Sequence, residues 1–181
     1  MKQILLMIAV VALVDGCAST SKVVPNSPEA TASIEAAIRK ELKKPNGELT
    51  KADLEKVTRF VLANNKLTDA SGLAGLTQLK TLNLAGNKLT DVSDLGGLMQ
   101  LSYLHLSFNQ LTDISALAGL IKLEYLALNA NQIADEQLKY LAGLTELELL
   151  VLTNNSDLTK AQIAELQKAL PKCNIQHNAK K

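Results

Sequence analysis

The sequence predicts an α/β fold, namely a solenoid in which each coil adds one short strand to a parallel sheet. The first observation behind this prediction is a nine-residue pattern, LxxLxLxxN, which occurs five times with minor changes. We number these rows one to five, and they cover residues 57–65, 79–87, 101–109, 123–131 and 147–155. Their first residues are 22, 22, 22 and 24 residues apart, and such regular spacing indicates a repeat architecture.

The second observation is the alternation inside each row. Apolar residues at positions four and six flank position five, which is the period of a strand with one buried face. A strand this short cannot bury its face alone, so each row must pack on its neighbours. Because successive coils run in the same direction, the predicted sheet is parallel, with strands about 4.8 Å apart.

Position nine is asparagine in every row, at Asn65, Asn87, Asn109, Asn131 and Asn155. A side-chain amide donates and accepts hydrogen bonds at once, so it can pair backbone groups where the chain leaves the sheet. The alternative is a ladder of ligand-binding amides, but the structural need for partners already accounts for the column. We therefore interpret these residues as a structural asparagine ladder.

These rows resemble the leucine-rich repeat family, in the 22-residue form found in bacterial internalin-like proteins. The resemblance covers roughly residues 31–175. It implies a right-handed solenoid with a parallel concave sheet and helical caps at its N- and C-terminal ends. It also implies a protein-binding surface, although the partners within this family differ widely.

The composition argues against several function classes. The 181 residues are 47% apolar but only 3% aromatic, and the net charge is +1, which gives no argument for a nucleic-acid partner. No glycine-rich phosphate loop and no Cys/His metal spacing occurs. We therefore expect no metal, no cofactor and no nucleic acid.

The N-terminus has the pattern of an export signal. A short charged start precedes an apolar run from Ile4 to Val14, which is too short to span a bilayer and predicts a signal peptide over residues 1–16. Gly16 and Cys17 resemble a bacterial lipobox, whereas Asp15 departs from it. The resemblance implies acylation of Cys17 and, because Ala18 is not aspartate, an outer-membrane lipoprotein facing the periplasm. A plain secreted protein and an uncleaved anchor are the alternatives.

The rest of the chain divides around the rows. We predict a lipidated cysteine and flexible tether over residues 17–29, a helical N-terminal cap over 30–56 and five repeats over 57–158. A C-terminal cap over 159–175 and a disordered tail over 176–181 complete the chain. The N-terminal cap should contain a helix over 30–44 and a second helix that starts at Thr50. Cys173 to Ile175 should add a final edge strand.

The segments between rows should form the convex side. Three of them are short and rich in turn residues, which predicts single helical turns, while the segment from Ile133 to Leu144 should form a true short helix. An aspartate recurs at one phase of these segments, at Asp69, Asp91, Asp113 and Asp135. Each can cap a helical turn, and calcium binding is the less favoured alternative because the multi-oxygen loop pattern is missing.

The candidate binding residues are the side chains that should project from the concave face. Positions three, five and seven of each row point there, and position eight lies near its edge. Three of the five aromatic residues of the chain gather in rows three and four, which favours a contact patch. Cross-strand stacking of aromatics on a sheet surface is the alternative. The predicted partner-binding residues are Arg59, Asn83, Tyr103, His105, Phe108, Tyr125 and Asn129.

Catalysis is the opposing hypothesis, and the rows do not favour it. His105 has Ser107 nearby on the same face, but no outward-facing carboxylate is available in these rows to orient it. We therefore predict a non-enzymatic, monomeric protein-binding module with an unknown protein partner and a lipid anchor in the membrane. A structural envelope component or a small-ligand or glycan receptor are the alternatives.

Cys173 has no predicted partner once Cys17 is acylated. We interpret it as a small buried apolar residue of the C-terminal cap. An intermolecular disulfide is the alternative.

Overall fold

The structure is a computed structural model, and it describes residues 28–180, with side chains from residue 32. The predicted signal peptide, Cys17 and residues 17–27 of the predicted tether lie outside the described residues. Within the described part of the chain, no helix has both the length and the apolar character needed to cross a bilayer.

Six short strands form one parallel sheet in chain order. The strands are β1 (Arg59–Val61), β2 (Thr81–Asn83), β3 (Tyr103–His105), β4 (Tyr125–Ala127), β5 (Leu149–Val151) and β6 (Asn174–Gln176). Neighbouring strands pair in one continuous register, so that the central residues form a single column. The open sheet of stacked coils confirms the predicted solenoid.

Leucines from consecutive coils fill one shared interior. The central strand residues Phe60, Leu82, Leu104, Leu126 and Leu150 are at most 2% exposed. Their neighbours at positions one and six are buried in every row as well. Because each buried Leu side chain contributes about 1.5–3 kcal/mol, this core is the main source of stability.

The convex segments are 3₁₀ helices, at Ser71–Leu73, Ser93–Leu95, Ser115–Gly119 and Asp135–Tyr140. The expectation of a true short helix in the fourth segment is wrong, because this six-residue element is also 3₁₀. Its backbone hydrogen bonds have the 3₁₀ pattern. The N–H groups of Gln137 and Leu141 donate to the carbonyls of Ala134 and Leu138, three residues earlier in each case.

Three of the four convex aspartates cap the turn that follows them. Backbone N–H groups of Ser71, Ser93 and Ser115 donate to the carboxylate two residues earlier, at 3.0, 2.7 and 2.7 Å. Asp135 differs. It accepts from the Thr159 backbone N–H at 2.8 Å and from the Thr159 hydroxyl at 2.7 Å, so it ties the fourth coil to the C-terminal cap.

The N-terminal end of the sheet packs against helix α1 (Pro28–Glu41), which starts and ends earlier than the expected 30–44. Ile34 and Ile38 of α1 are buried in the core. Helix α2 (Lys51–Leu54) begins with a capping box between Thr50 and Asp53. A hydrogen bond from the Lys44 ammonium, aided by Thr50, holds the pKa of Asp53 well below its usual range.

The C-terminal end is closed by helix α3 (Lys160–Ala169), whose N-cap Thr159 accepts from the Gln162 N–H. Cys173 is 4% exposed, and its N–H bonds to Leu170 O as Leu147 N–H bonds to Leu144 O. Cys173 thus takes the place of the leucine that opens each row. Burial raises the pKa of its thiol, so an inert core residue is favoured over an intermolecular disulfide.

The chain after β5 differs from the expected disordered tail over 176–181. Gln176 belongs to β6, and Asn178 exchanges two hydrogen bonds with Asn154, at 2.8 and 2.9 Å. Ala179 packs against the core. Residues 176–180 therefore follow the path of an incomplete sixth row.

Candidate interaction surface

Two tyrosines stack at the centre of the concave face. Tyr103 and Tyr125 open β3 and β4 and are register partners. Their ring centroids are 4.2 Å apart and the planes differ by only 3°. His105 closes β3 and meets Tyr125 edge-on, with ring centroids 6.2 Å apart and planes at 88°. The structure thus brings three of the predicted binding residues into contact.

This cluster is uncharged near neutral pH. Burial lowers the pKa of His105 from its ordinary value of 6.5, which favours the neutral imidazole. Burial, followed by contact with Tyr103, raises the pKa of Tyr125. The centre of the concave face therefore presents aromatic surface and hydrogen-bonding groups without a net charge.

Phe108 lies beside this cluster in an unfavourable backbone conformation. It is 60% exposed, and its φ of 58° is in the left-handed region. Position eight adopts this conformation in every row, at Asn64, Gly86, Phe108, Ala130 and Asn154. Gly and Asn tolerate it, whereas a bulky residue there costs on the order of 1 kcal/mol. Phe108 also lies outside β3, so cross-strand pairing does not explain it.

The other predicted binding residues are either engaged in hydrogen bonds within the chain or distant from the tyrosines. Asn129 accepts a short hydrogen bond from the Ser107 hydroxyl, and Ser107 is fully buried, unlike the expected concave position. Asn83 accepts from the Ala85 N–H at 3.0 Å. Arg59 is exposed in β1, two strands away from the tyrosines. The candidate patch is therefore Tyr103, His105, Phe108 and Tyr125, which we call the aromatic patch.

The asparagines at position nine lie below this surface. Asn109 donates to Leu84 O at 3.1 Å and Leu106 O at 2.9 Å, and it accepts from Leu89 N–H at 3.0 Å. Asn87, Asn131 and Asn155 repeat this arrangement between their own coils and are equally buried. Their amides are thus engaged with the backbone of two coils. Asn65, at the first coil, is only partly buried and donates to Ala63 O at 2.8 Å.

Three large apolar side chains outside the predicted set are exposed in the described part of the chain, namely Val61, Met99 and Ile121. Val61 occupies position five of row one and could have been found from its strand phase. Met99 and Ile121 share one phase of neighbouring coils, where the flanking coils carry Thr77 and Thr145. The replacement of threonine by a large apolar residue at this position is the sequence signal that could have identified Met99 and Ile121.

Catalysis or metal binding on these surfaces would need titratable side chains that converge on one point. Within residues 28–180, no carboxylate hydrogen-bonds His105, and no group of three or more His, Cys, Asp or Glu side chains has the geometry of a metal site. The aromatic patch itself presents aromatic rings, two phenol hydroxyls and an imidazole, which are groups suited to apolar contact and hydrogen bonding.

A family profile described as "Leucine Rich repeats (2 copies)" matches residues 55–97 and 100–140. The chain is a leucine-rich repeat protein. Its fold is similar to that of an internalin (inlF) from Listeria monocytogenes, with 32% identity and a TM-score of 0.74 over 90% of this chain and 49% of that one. No curated protein matches the sequence.

Two further solved structures are similar to this leucine-rich repeat chain. A leucine-rich repeat protein from Leptospira interrogans has 25% identity and a TM-score of 0.54, covering 68% of this chain and 38% of that one. The functional domain of InlJ from Listeria monocytogenes has 18% identity and a TM-score of 0.59, covering 88% and 45%. The chain spans less than half the length of each of these structures.

Proposed function

We propose that this leucine-rich repeat chain is a non-enzymatic protein-binding module whose aromatic patch contacts the partner. The observation that carries the proposal is Phe108. An aromatic side chain held 60% exposed in the left-handed region costs stability and gains little packing within the chain. A binding role accounts for that cost, because large aromatics supply most of the energy of many interfaces.

The surroundings of Phe108 support the same function. Tyr103 and Tyr125 restrict each other by stacking, so little side-chain entropy is lost when a partner covers them. Their hydroxyl groups add hydrogen-bonding capacity at the rim of an apolar contact. Leucine-rich repeat domains generally bind protein partners, and the concave patch is complete within one chain. We therefore infer that a single chain is the binding unit.

We also propose an export route and a location. The signal-like residues 1–16 and the lipobox-like Gly16 and Cys17 support a lipid-anchored protein of the bacterial envelope, facing the periplasm from the outer membrane. The similarity to internalin-like bacterial proteins supports a surface or secreted location. Cys17→Ser tests the anchor. We expect the variant to leave the detergent-extractable membrane fraction, and a variant that stays there would exclude acylation at Cys17.

Capture of the partner tests the binding role. The chain would be crosslinked in cells that express it, and captured proteins would be identified by mass spectrometry for wild type, Tyr103→Ala/Tyr125→Ala and a control. Tyr140→Ala is the matched control, because Tyr140 lies in the convex 3₁₀ helix. We expect the double variant to lose a partner that wild type and control both capture.

Two results would overturn the proposal. Equal capture by the double variant, with unchanged thermal unfolding, would exclude the aromatic patch as the site. Failure of wild type to enrich any protein over the double variant would favour a structural envelope component instead.

A further inference from the structure

A second apolar pair lies on a different surface from the aromatic patch. Met99 and Ile121 are 51% and 59% exposed, and they lie where the chain approaches the N-terminal ends of β3 and β4. Ile121 lines an open groove of about 650 Å³ along this edge. The groove is also lined by Lys80, Gln100, Ser102, Lys122, Glu124 and Glu146. We call Met99, Ile121, Lys80, Glu124 and Glu146 the entry-edge patch.

The apolar pair is specific to the two middle coils. The same phase holds threonine in the coils on either side, at Thr77 and Thr145. The fold therefore accepts threonine at this position, and the apolar side chains are not required by the core. Met99 lies over Gly119, where an added Cβ would be 3.6 Å from the Met99 Cε, but the Met99 side chain stays half exposed.

Charge is distributed unevenly around this pair. Lys80 stands in coil two on one side, and Glu146 stands in coil five on the other. With strands about 4.8 Å apart, the two ends are separated by about 14 Å, which exceeds the screening length in physiological salt. Lys122, between them, donates to Gln100 at 2.7 Å. Within residues 28–180, none of Lys80, Glu124 and Glu146 belongs to an ion pair.

We propose that the entry-edge patch binds a second copy of this chain around a two-fold axis between coils three and four. A two-fold axis brings the same patch together from both copies, so coil two of one copy faces coil five of the other. Lys80 then faces the acidic segment Glu146–Glu148 of the second copy at each end, and Met99 meets Ile121 in the centre. Gln100 faces Lys122, and Ser102 faces Glu124, so no two like charges oppose each other.

This self-association leaves the aromatic patch uncovered, because the strands' N-terminal edge and the concave face are different surfaces. It departs from the expectation of a monomer, although each chain still carries a complete aromatic patch. Paired chains would offer two patches to a partner, which raises apparent affinity without a new contact to that partner. A patch of this size predicts a weak, concentration-dependent dimer rather than an obligate one.

Sedimentation equilibrium of the full chain in mild detergent, over a range of protein concentrations, tests the proposal. We expect the mass of the wild type to rise from one chain toward two. Met99→Thr/Ile121→Thr should remain a monomer and unfold at the wild-type temperature, because threonine already occupies this phase in the flanking coils. Tyr103→Ala/Tyr125→Ala should dimerise like wild type, which separates this proposal from the proposed function.

A charge swap provides the second arm. Lys80→Glu alone and Glu146→Lys alone should each shift the dimer to higher concentration, because each places like charges across the axis. The combined Lys80→Glu/Glu146→Lys variant should restore the wild-type mass profile. A wild type that is monomeric at every concentration would overturn the proposal. A dimer that is unaffected by the threonine variant and by the single charge reversals would equally overturn it.

Discussion

Positions eight and nine of each row are neighbours in the chain, yet they follow opposite rules. Position nine is asparagine in all five rows, whereas position eight holds Asn, Gly, Phe, Ala and Asn. The backbone conformation at position eight is nonetheless shared, since its φ lies between 53° and 68° in every row. A common backbone therefore does not by itself demand a common side chain.

The difference lies in where the side chains go. Asn109 is 8% exposed and pairs backbone groups of two coils, so no other side chain can meet the same demands. The Phe108 side chain is 60% exposed and forms no hydrogen bond, so the fold does not require phenylalanine at this position. In this stack, invariance between coils marks buried backbone pairing, and departure of one coil from its column marks a candidate for function.

The largest predicted effect separates the middle of the asparagine column from its first member. Asn109→Ala leaves the Leu89 N–H without its acceptor and removes the donor to Leu84 O and Leu106 O. Because an unpaired buried group costs about 1–3 kcal/mol, we expect the free energy of unfolding to fall by roughly 3 kcal/mol. Asn65→Ala should cost about 1 kcal/mol, since Asn65 is half-solvated at the end of the column.

Urea unfolding monitored by circular dichroism measures both losses, with Asn109→Asp as the variant that keeps the shape of the side chain. We expect Asn109→Asp to be as harmful as the alanine variant, because a carboxylate cannot donate to the two carbonyls. Equal losses at Asn65 and Asn109 would contradict the distinction between the first member of the column and its middle.

The second prediction concerns position eight. Phe108→Gly relieves the left-handed strain and places in row three the residue that row two already has, so we expect unfolding stability to stay unchanged or rise by up to about 1 kcal/mol. Capture of the partner should fall. Ala130→Gly is the matched control, because it relieves the same conformation in row four without removing an aromatic. A clear loss of stability in Phe108→Gly would indicate that Phe108 packs for the fold.

The smallest predicted effect concerns Asp94 on the convex side, where one coil has a different residue type from its neighbours. Asp94 occupies a phase that holds Gly72 and Ala116 in the neighbouring coils. Burial, and then the charges of Asp91 and Asp69, raise the pKa of Asp94 above 3.8. Ionised Asp94 therefore opposes folding, and this cost is absent below pH 3.8 and grows as the pH rises through the raised pKa.

Asp94→Asn should thus raise the melting temperature slightly at pH 7, and the gain should vanish near pH 3 because protonated Asp and Asn are alike in shape. Differential scanning calorimetry at the two values measures the change. We expect a small gain, since Asp94 is only partly buried and solvent screens its neighbours. A gain of equal size at both values would indicate that the charge of Asp94 is not its cause.

The periodicity of the rows alone predicted the sheet, its register and its core, because each coil has apolar residues and asparagine at the same positions. The fourth convex segment was predicted as a true helix because it is two residues longer than the others and is a better helix former, whereas its backbone N–H groups donate to carbonyls three residues earlier, as in a 3₁₀ helix. The end of the chain was also misjudged, because the pairing of Asn178 with Asn154 joins residues 24 apart and has no periodic signal.

The candidate site was predictable in part. Strand alternation brought Tyr103, His105 and Tyr125 to one face, and the structure adds their stacking geometry. The left-handed conformation of Phe108 depends on how the chain leaves the strand, which composition does not reveal. Burial of Ser107 follows from its bond to Asn129 one coil away, a pairing that no single row contains.

The incomplete sixth row has one more consequence. Where a full row would put a buried leucine and a buried asparagine, this row has exposed His177 and Lys180, so it lacks the two side chains that pack one coil on the next. The last described turn therefore differs from the interior turns in its side chains. Each interior turn repeats the same pattern and contacts only its neighbours. Duplication of one interior turn would lengthen the protein by about 5 Å and carry its surface residues along, leaving both closures unchanged.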